Sequence, residues 1–345
     1  MINTVCRLIS PMIFEEVYTE VDSLDGKVIV RPTYLSICQA DQRYYQGNRD
    51  EKTLDEKLPM SLIHEGIGVV VKDPTDTFNI GDNVVLIPNT PIENDEIVSE
   101  NYLRTSKFRA SGFDGFMEDY IILPEDRLVK LPDNINFEVA AFTELISVCL
   151  HGICRFSKIS HKRRNIIGIW GDGNLGYIVS LLLKTINPEC KVYVFGVHRN
   201  KLDLFEFVDK TFLVSEVPDE LTIDHGFECV GGDKSSDAIN QIIDLINPEG
   251  TIALLGVSEN NILINTRMVL EKGLRLFGTS RSGREDFINT INLFKTYPNL
   301  VNSLEKLINE VVRIRTLNDI DYSFKLDMES NFGKTVLIWD KWFFI

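Results

Sequence analysis

The chain has 345 residues, 44% hydrophobic and 25% charged, a balance found in globular enzymes and a length that suits about two domains. Its formal net charge of −15 excludes a general attraction to nucleic acid or an anionic membrane, so an anionic substrate needs its own basic pocket. The six cysteines, Cys6, Cys38, Cys149, Cys154, Cys190 and Cys229, form no CxxC pair, which fits buried thiols in a reducing cytoplasm.

The N-terminal stretch MINTVCRLISPMIF lacks the basic region and long apolar core of a signal peptide. No apolar run approaches the ~20 residues of a membrane span. A cytoplasmic protein is expected. In TYLSICQADQRYY, Cys38 follows an apolar strand and precedes a helix-like stretch, where a thiolate can face a cleft. The segment LIHEGIGVV then sets His64 and Glu65 side by side at another apolar boundary, and AFTELISVCLHGI carries Glu144. Thiolate, imidazole and carboxylate together make a ligand set for Zn²⁺. Each residue alone also fits a structural role, as buried thiol, core histidine or helix cap, so spacing leaves the metal reading open. No cysteine lies between Cys38 and Cys149, which argues against a second, structural zinc.

From about residue 144 to 285 strands and helices alternate. NIIGIW reads as a buried strand, followed by GDGNLG and the apolar helix YIVSLLLKT. KVYVF, TFLV, GFECV, TIALLGV and LRLFGTS are further strand candidates, and SSDAINQIIDLI reads as an intervening helix. This alternation is the pattern of a doubly wound parallel sheet, an α/β fold. In that setting Gly171 permits a tight turn, Gly173 lets backbone approach a pyrophosphate, and Gly176 allows close helix packing. Asn174 and Leu175 complete the loop at the helix N-terminus, whose N–H groups suit phosphates. At the end of the second strand an NAD site usually carries Asp or Glu. Here VFGVHRNK places Gly196 at that point, followed by His198, Arg199 and Lys201, which favours the 2′-phosphate of NADP(H).

These pieces, with NIGDNVVLIP and ELISVCLHG, resemble the medium-chain, zinc-dependent alcohol and polyol dehydrogenases along nearly the whole chain. The resemblance implies a GroES-like, β-rich catalytic domain over residues 1–143, a Rossmann domain over 144–285, and a C-terminal segment, 286–345, completing the first. It implies one catalytic zinc held by Cys38, His64 and Glu144, with Glu65 a fourth or exchangeable ligand. CQADQRYY, LPMSLIHEG, GIWGDGNLGY, FECVGG and GTSRSG are similar, more narrowly, to the ribulose-5-phosphate reductases of teichoic-acid synthesis. That likeness implies NADPH-dependent reduction of ribulose 5-phosphate to ribitol 5-phosphate, a cytidylyltransferase partner that makes CDP-ribitol, and a homo-oligomer. Arg43, near Cys38, and Arg281, in GTSRSG, are candidates for the substrate phosphate.

Three positions depart from the family pattern. Ile63 replaces the Gly usual before His-Glu, Pro74 replaces a later Gly, and Ala40 stands where many relatives carry a proton-passing Ser or Thr. Asp41, Tyr44 or a water chain is expected to serve instead. Two other readings fit the same residues: a zinc polyol dehydrogenase acting with NAD on an unphosphorylated sugar alcohol, and a catalytically silent nucleotide-binding protein. Retention of Cys38, His64 and Glu144 argues against the silent protein.

Overall fold

The computed structural model describes residues 2–21 and 26–341. The chain forms two compact units, one of Met1–Ser147 with Ser282–Ile345 and one of Val148–Arg281. No helix among the described residues is long and apolar enough to cross a membrane.

The first unit is built on strands. An N-terminal hairpin, β1 (Ile2–Ser10) and β2 (Ile13–Glu20), pairs through β1 with the short β4 (Met60–Ser61). The main sheet has seven strands. Its spine is β3 (Lys27–Ser36) paired antiparallel with β5 (Glu65–Lys72), which pairs in turn with β6 (Asn83–Leu86). Strands β7 (Ile121–Pro124) and β8 (Leu128–Lys130) join β3 and β6. Between β3 and β4 lies the short helix α1 (Gln39–Tyr45), and α2 (Thr143–Ile159) follows the last of these strands.

The second unit is a six-stranded, wholly parallel sheet. In chain order its elements are β9 (Ile166–Trp170), α3 (Asn174–Ile186), β10 (Lys191–Gly196), β11 (Lys210–Leu213), β12 (Ile223–Glu228), α4 (Ser235–Leu245), β13 (Ile246–Leu254) and β14 (Arg275–Gly278). The spatial order β11-β10-β9-β12-β13-β14 is the doubly wound arrangement, with its switch point between β9 and β12. Its core stacks Trp170 on Phe195, ring centroids 3.9 Å apart. Trp170 keeps its indole N–H satisfied by Gln241, at 2.8 Å.

Two strands differ from the apolar runs in the sequence. β12 begins three residues before GFECV, taking in buried Asp224 and His225. They tolerate burial because they are satisfied: Asp224 accepts the N–H groups of Asn165 and Ile166, and His225 bonds the Arg163 carbonyl and the Thr251 N–H. Likewise β13 starts at Ile246, ahead of TIALLGV, across a register irregularity opposite β12.

The chain then returns to the first unit. β15 (Ile308–Ile314) and β16 (Lys334–Trp339) pair in parallel, with α5 (Leu317–Glu329) between them, and β16 joins β3 antiparallel. The registers Ser36↔Val336 and Ser36↔Glu65 bring the end of β3 together with the starts of β5 and β16. That convergence builds the site.

Candidate metal and cofactor sites

Cys38 caps the N-terminus of α1, two residues past the end of β3. Its N–H donates to Asp41, at 3.1 Å, while the other Asp41 oxygen accepts the N–H of Ile63 at 3.0 Å and lies 3.4 Å from His64 Nδ1. One buried carboxylate thereby ties both segments together. Ile63 adopts φ +68, the left-handed region that favours glycine; for a β-branched residue this is strained. The Asp41 bond on one side and the Phe116 N–H on the Ile63 carbonyl (2.7 Å) on the other hold it in place.

Glu65 opens β5 fully buried, and Lys334 at the start of β16 lies 2.8 Å from its carboxylate. Lys334 also donates to the Ile37 carbonyl at 2.6 Å. The donor atoms of Cys38, His64 and Glu65 all lie within 4.8 Å of one another, the one such group of three or more among the described residues. Soft sulfur from half-buried Cys38, imidazole nitrogen and carboxylate oxygen from buried His64 and Glu65 together fit a zinc ion. Glu144, in the first turn of α2, is buried outside that group of three but within its field. Burial pushes its carboxyl up to about 7, with His64 drawing it down and Glu65 pushing it up. Burial also raises the Cys38 thiol, against the pull of His64. For His64 burial alone would lower the value, but Asp41 and Cys38 outweigh it and raise it. Coordination requires both groups to give up their protons.

The other candidates of this region sit on or near α1. Arg43 is half-buried on that helix. Ala40 contributes no hydroxyl. Tyr45 donates its hydroxyl to Asp321 at 2.7 Å, and the buried Tyr44 ring lies under Arg49 and Lys57, at 4.9 and 5.9 Å from its centroid. Pro74 belongs to the turn after β5. Lys334 escaped the sequence reading; its signal was a lone lysine heading the apolar run TVLIW.

In the second unit the three glycines of GDGNLG have distinct surroundings. A Cβ on Gly171, at φ +131, would stand 2.8 Å from the Cys229 carbonyl across the switch point, and one on Gly176 would stand 2.0 Å from the Gly171 carbonyl. A Cβ on Gly173 would meet nothing within 4 Å, so backbone there faces open space at the N-terminus of α3, with Asn174 and Leu175 in its first turn. A bare helix N-terminus at the switch point of a parallel sheet fits a dinucleotide pyrophosphate. Beside it, Glu228 accepts the N–H groups of Val230, Gly231 and Gly256, bracing the neighbouring loops.

Gly196 ends β10, and His198 caps the short helix Arg199–Leu202 that carries Lys201. Arg199 pairs with Glu216 at 2.6 Å. Asp172, the residue between Gly171 and Gly173, accepts the N–H groups of Val197 and His198, each at 2.8 Å. In the sequence Asp172 carries no signal beyond its place between two glycines of the motif. Arg281 follows β14 in the left-handed region, at φ +58.

Comparison with known proteins decides the family. The alcohol dehydrogenase GroES-like domain matches residues 24–133, and the zinc-binding dehydrogenase domain matches residues 175–296. The chain belongs to the zinc-binding alcohol dehydrogenase family. It is 52% identical to a ribulose-5-phosphate reductase of Bacillus spizizenii, over 99% of this chain and 100% of that protein. It is 54% identical to ribulose-5-phosphate reductase 1 of Staphylococcus aureus, over 98% and 99%. Among solved structures it superposes on S. aureus TarJ in complex with NADPH with a TM-score of 0.89 and 50% identity, covering 99% of this chain and 100% of that one. L-idonate 5-dehydrogenase from Escherichia coli, at 19% identity and TM-score 0.86 over 98% of this chain and 99% of that one, shares the fold.

Proposed function

We propose that the protein reduces ribulose 5-phosphate to ribitol 5-phosphate with NADPH and one zinc ion per chain. The observation that carries this reading is the convergence of half-buried Cys38 with buried His64 and Glu65 in a chain about half identical, end to end, to ribulose-5-phosphate reductases. Zinc supplies Lewis acidity that polarises the C2 carbonyl, and NADPH supplies the hydride. A proton completes the new hydroxyl, so the ketone takes up one hydride and one proton and NADP⁺ is released.

The chain's own residues do the rest. Cys38, His64 and Glu144 would hold the ion, with Glu65 as a fourth ligand. Lys334 fixes Glu65, and Asp41 fixes His64 and the backbone on either side of the niche. Since Asp41 has both oxygens engaged in these contacts, it acts here as a positioning group. The proton then comes from water or through Tyr44. Gly171, Gly173, Asn174, Leu175 and Gly176 receive the pyrophosphate, and His198, Arg199 and Lys201 face the 2′-phosphate. Arg43 and Arg281 serve the sugar phosphate, because a guanidinium donates paired, charge-assisted hydrogen bonds. The product suits a cytidylyltransferase that makes CDP-ribitol, and the enzyme works in the cytoplasm as a homo-oligomer.

The test is NADPH oxidation by zinc-loaded protein with ribulose 5-phosphate, ribulose, xylulose 5-phosphate and fructose in parallel. The highest kcat/KM is expected for ribulose 5-phosphate. Faster turnover of ribulose or fructose would point to an unphosphorylated polyol enzyme instead.

A further inference from the structure

The absence of an acid at Gly196 has a second consequence. A Cβ on Gly196 would stand 2.6 Å from the Asp172 Cβ and 2.7 Å from its Oδ2. The volume next to the end of β10, which an acidic side chain at position 196 would enter first, therefore holds a carboxylate from the glycine-rich turn. Its Oδ2 accepts two backbone N–H groups, from Val197 and His198, and lies 3.1 Å from His198 Nδ1. Asp172 is buried, whereas half of the His198 side chain reaches solvent.

We infer that Asp172 is a positioning residue for cofactor choice, pinning the turn that presents His198, Arg199 and Lys201 to the 2′-phosphate. The inference rests on the NADPH reading above. A carboxylate at the end of the second strand disfavours a 2′-phosphate when its lone pairs face the ribose. Here Oδ2 is turned onto two N–H groups and an imidazole, so its charge is engaged within the turn. The cationic turn is set before the cofactor arrives, and little conformational freedom is lost on binding. Gly196 has two roles in this arrangement: it carries no acid, and it makes room for Asp172. Gly196→Asp consequently damages the turn by collision and does not create an NADH enzyme.

Equilibrium binding of NADPH and NADH, followed by calorimetry, tests this without turnover. Losing the charge-assisted bonds in Asp172→Ala should weaken NADPH by about 10- to 100-fold while NADH stays within about threefold. Asp172→Asn keeps an acceptor and the shape of the side chain, so NADPH affinity should recover most of that loss. Gly196→Ala should mimic Asp172→Ala, and the double variant should be no weaker than either single one, since both remove the same pin. Equal losses for the two cofactors would overturn the inference and leave Asp172 as ordinary support for the loop. So would wild-type NADPH affinity in Asp172→Ala. A wild-type protein that binds both cofactors equally would overturn the NADPH reading itself, and this inference with it.

Discussion

The metal niche and the cofactor turn both handle charge in a strongly acidic chain, by opposite means. At the niche the Lys334–Glu65 pair is sealed, with side chains 3% and 0% exposed. At the turn, Arg199 and Glu216 are 50% and 60% exposed, and only Asp172 is buried. A sealed pair is costly to break because the surviving charge cannot be hydrated, whereas an exposed pair is replaced by water at little cost. The niche is therefore held by a sealed ion pair, whereas the turn is held by one buried carboxylate and its Arg199–Glu216 pair is dispensable.

The largest effect is expected from the ligands themselves. Cys38→Ser or Glu144→Ala should lose zinc and turnover together, while NADPH affinity, which resides in the other unit, stays near wild type. Metal analysis beside cofactor binding checks this, and an active variant without zinc contradicts it. Next comes Lys334→Met, which strands Glu65 as a buried, unpaired carboxylate. Chemical denaturation should show a loss of about 3–5 kcal/mol, largely restored in the double variant Lys334→Met/Glu65→Leu. A loss below about 1 kcal/mol would mean the pair is hydrated in solution.

The second unit also holds a buried histidine, His225 of β12. Burial, with the neighbouring His161, pushes His225 down to about 4, against help from the Arg163 carbonyl and Asp224. Between pH 4 and its ordinary value near 6.5, the unfolded chain holds the extra proton, so stability rises with pH. The contribution is complete above about pH 6.5 and lost as pH falls towards 4, to a total of about 3 kcal/mol. Denaturation at pH 7.5 and pH 4.5 should reveal a wild-type decline steeper by that amount than in His225→Gln. Parallel declines would contradict the assignment. The smallest effect belongs to the exposed pair: Arg199→Ala should change stability by no more than about 0.5 kcal/mol by the same denaturation.

How much of this was legible in the sequence follows from the same contrast. The parallel sheet was readable because its strands are continuous apolar runs punctuated by glycine, and Gly171, Gly173 and Gly176 have the surroundings expected of them. The family fold was readable from motifs, which named Cys38, His64 and Glu144 with Glu65 as a further ligand; of these, the structure brings Cys38, His64 and Glu65 within 4.8 Å of one another. Lys334 was not, because its partner Glu65 lies 269 residues away and a lysine in an apolar run carries no label. Asp172, Asp224 and His225 were missed for a related reason. A buried polar side chain is explained by its partners, and partners brought together by strand register have no local spacing. Gly196 illustrates both sides: the missing acid was visible, but the Asp172 carboxylate that takes up the space was not.

The central claim is carbonyl reduction by hydride transfer to a phosphorylated ketose, and isotope transfer tests it most directly. Zinc-loaded protein should be incubated with ribulose 5-phosphate and NADPH carrying deuterium at the reactive C4 position, and the sugar product analysed by mass spectrometry and NMR. The account predicts ribitol 5-phosphate with one deuterium, bound at C2, and the phosphate intact. A product without deuterium at C2, or no ribitol 5-phosphate while ribulose is reduced readily, would contradict it.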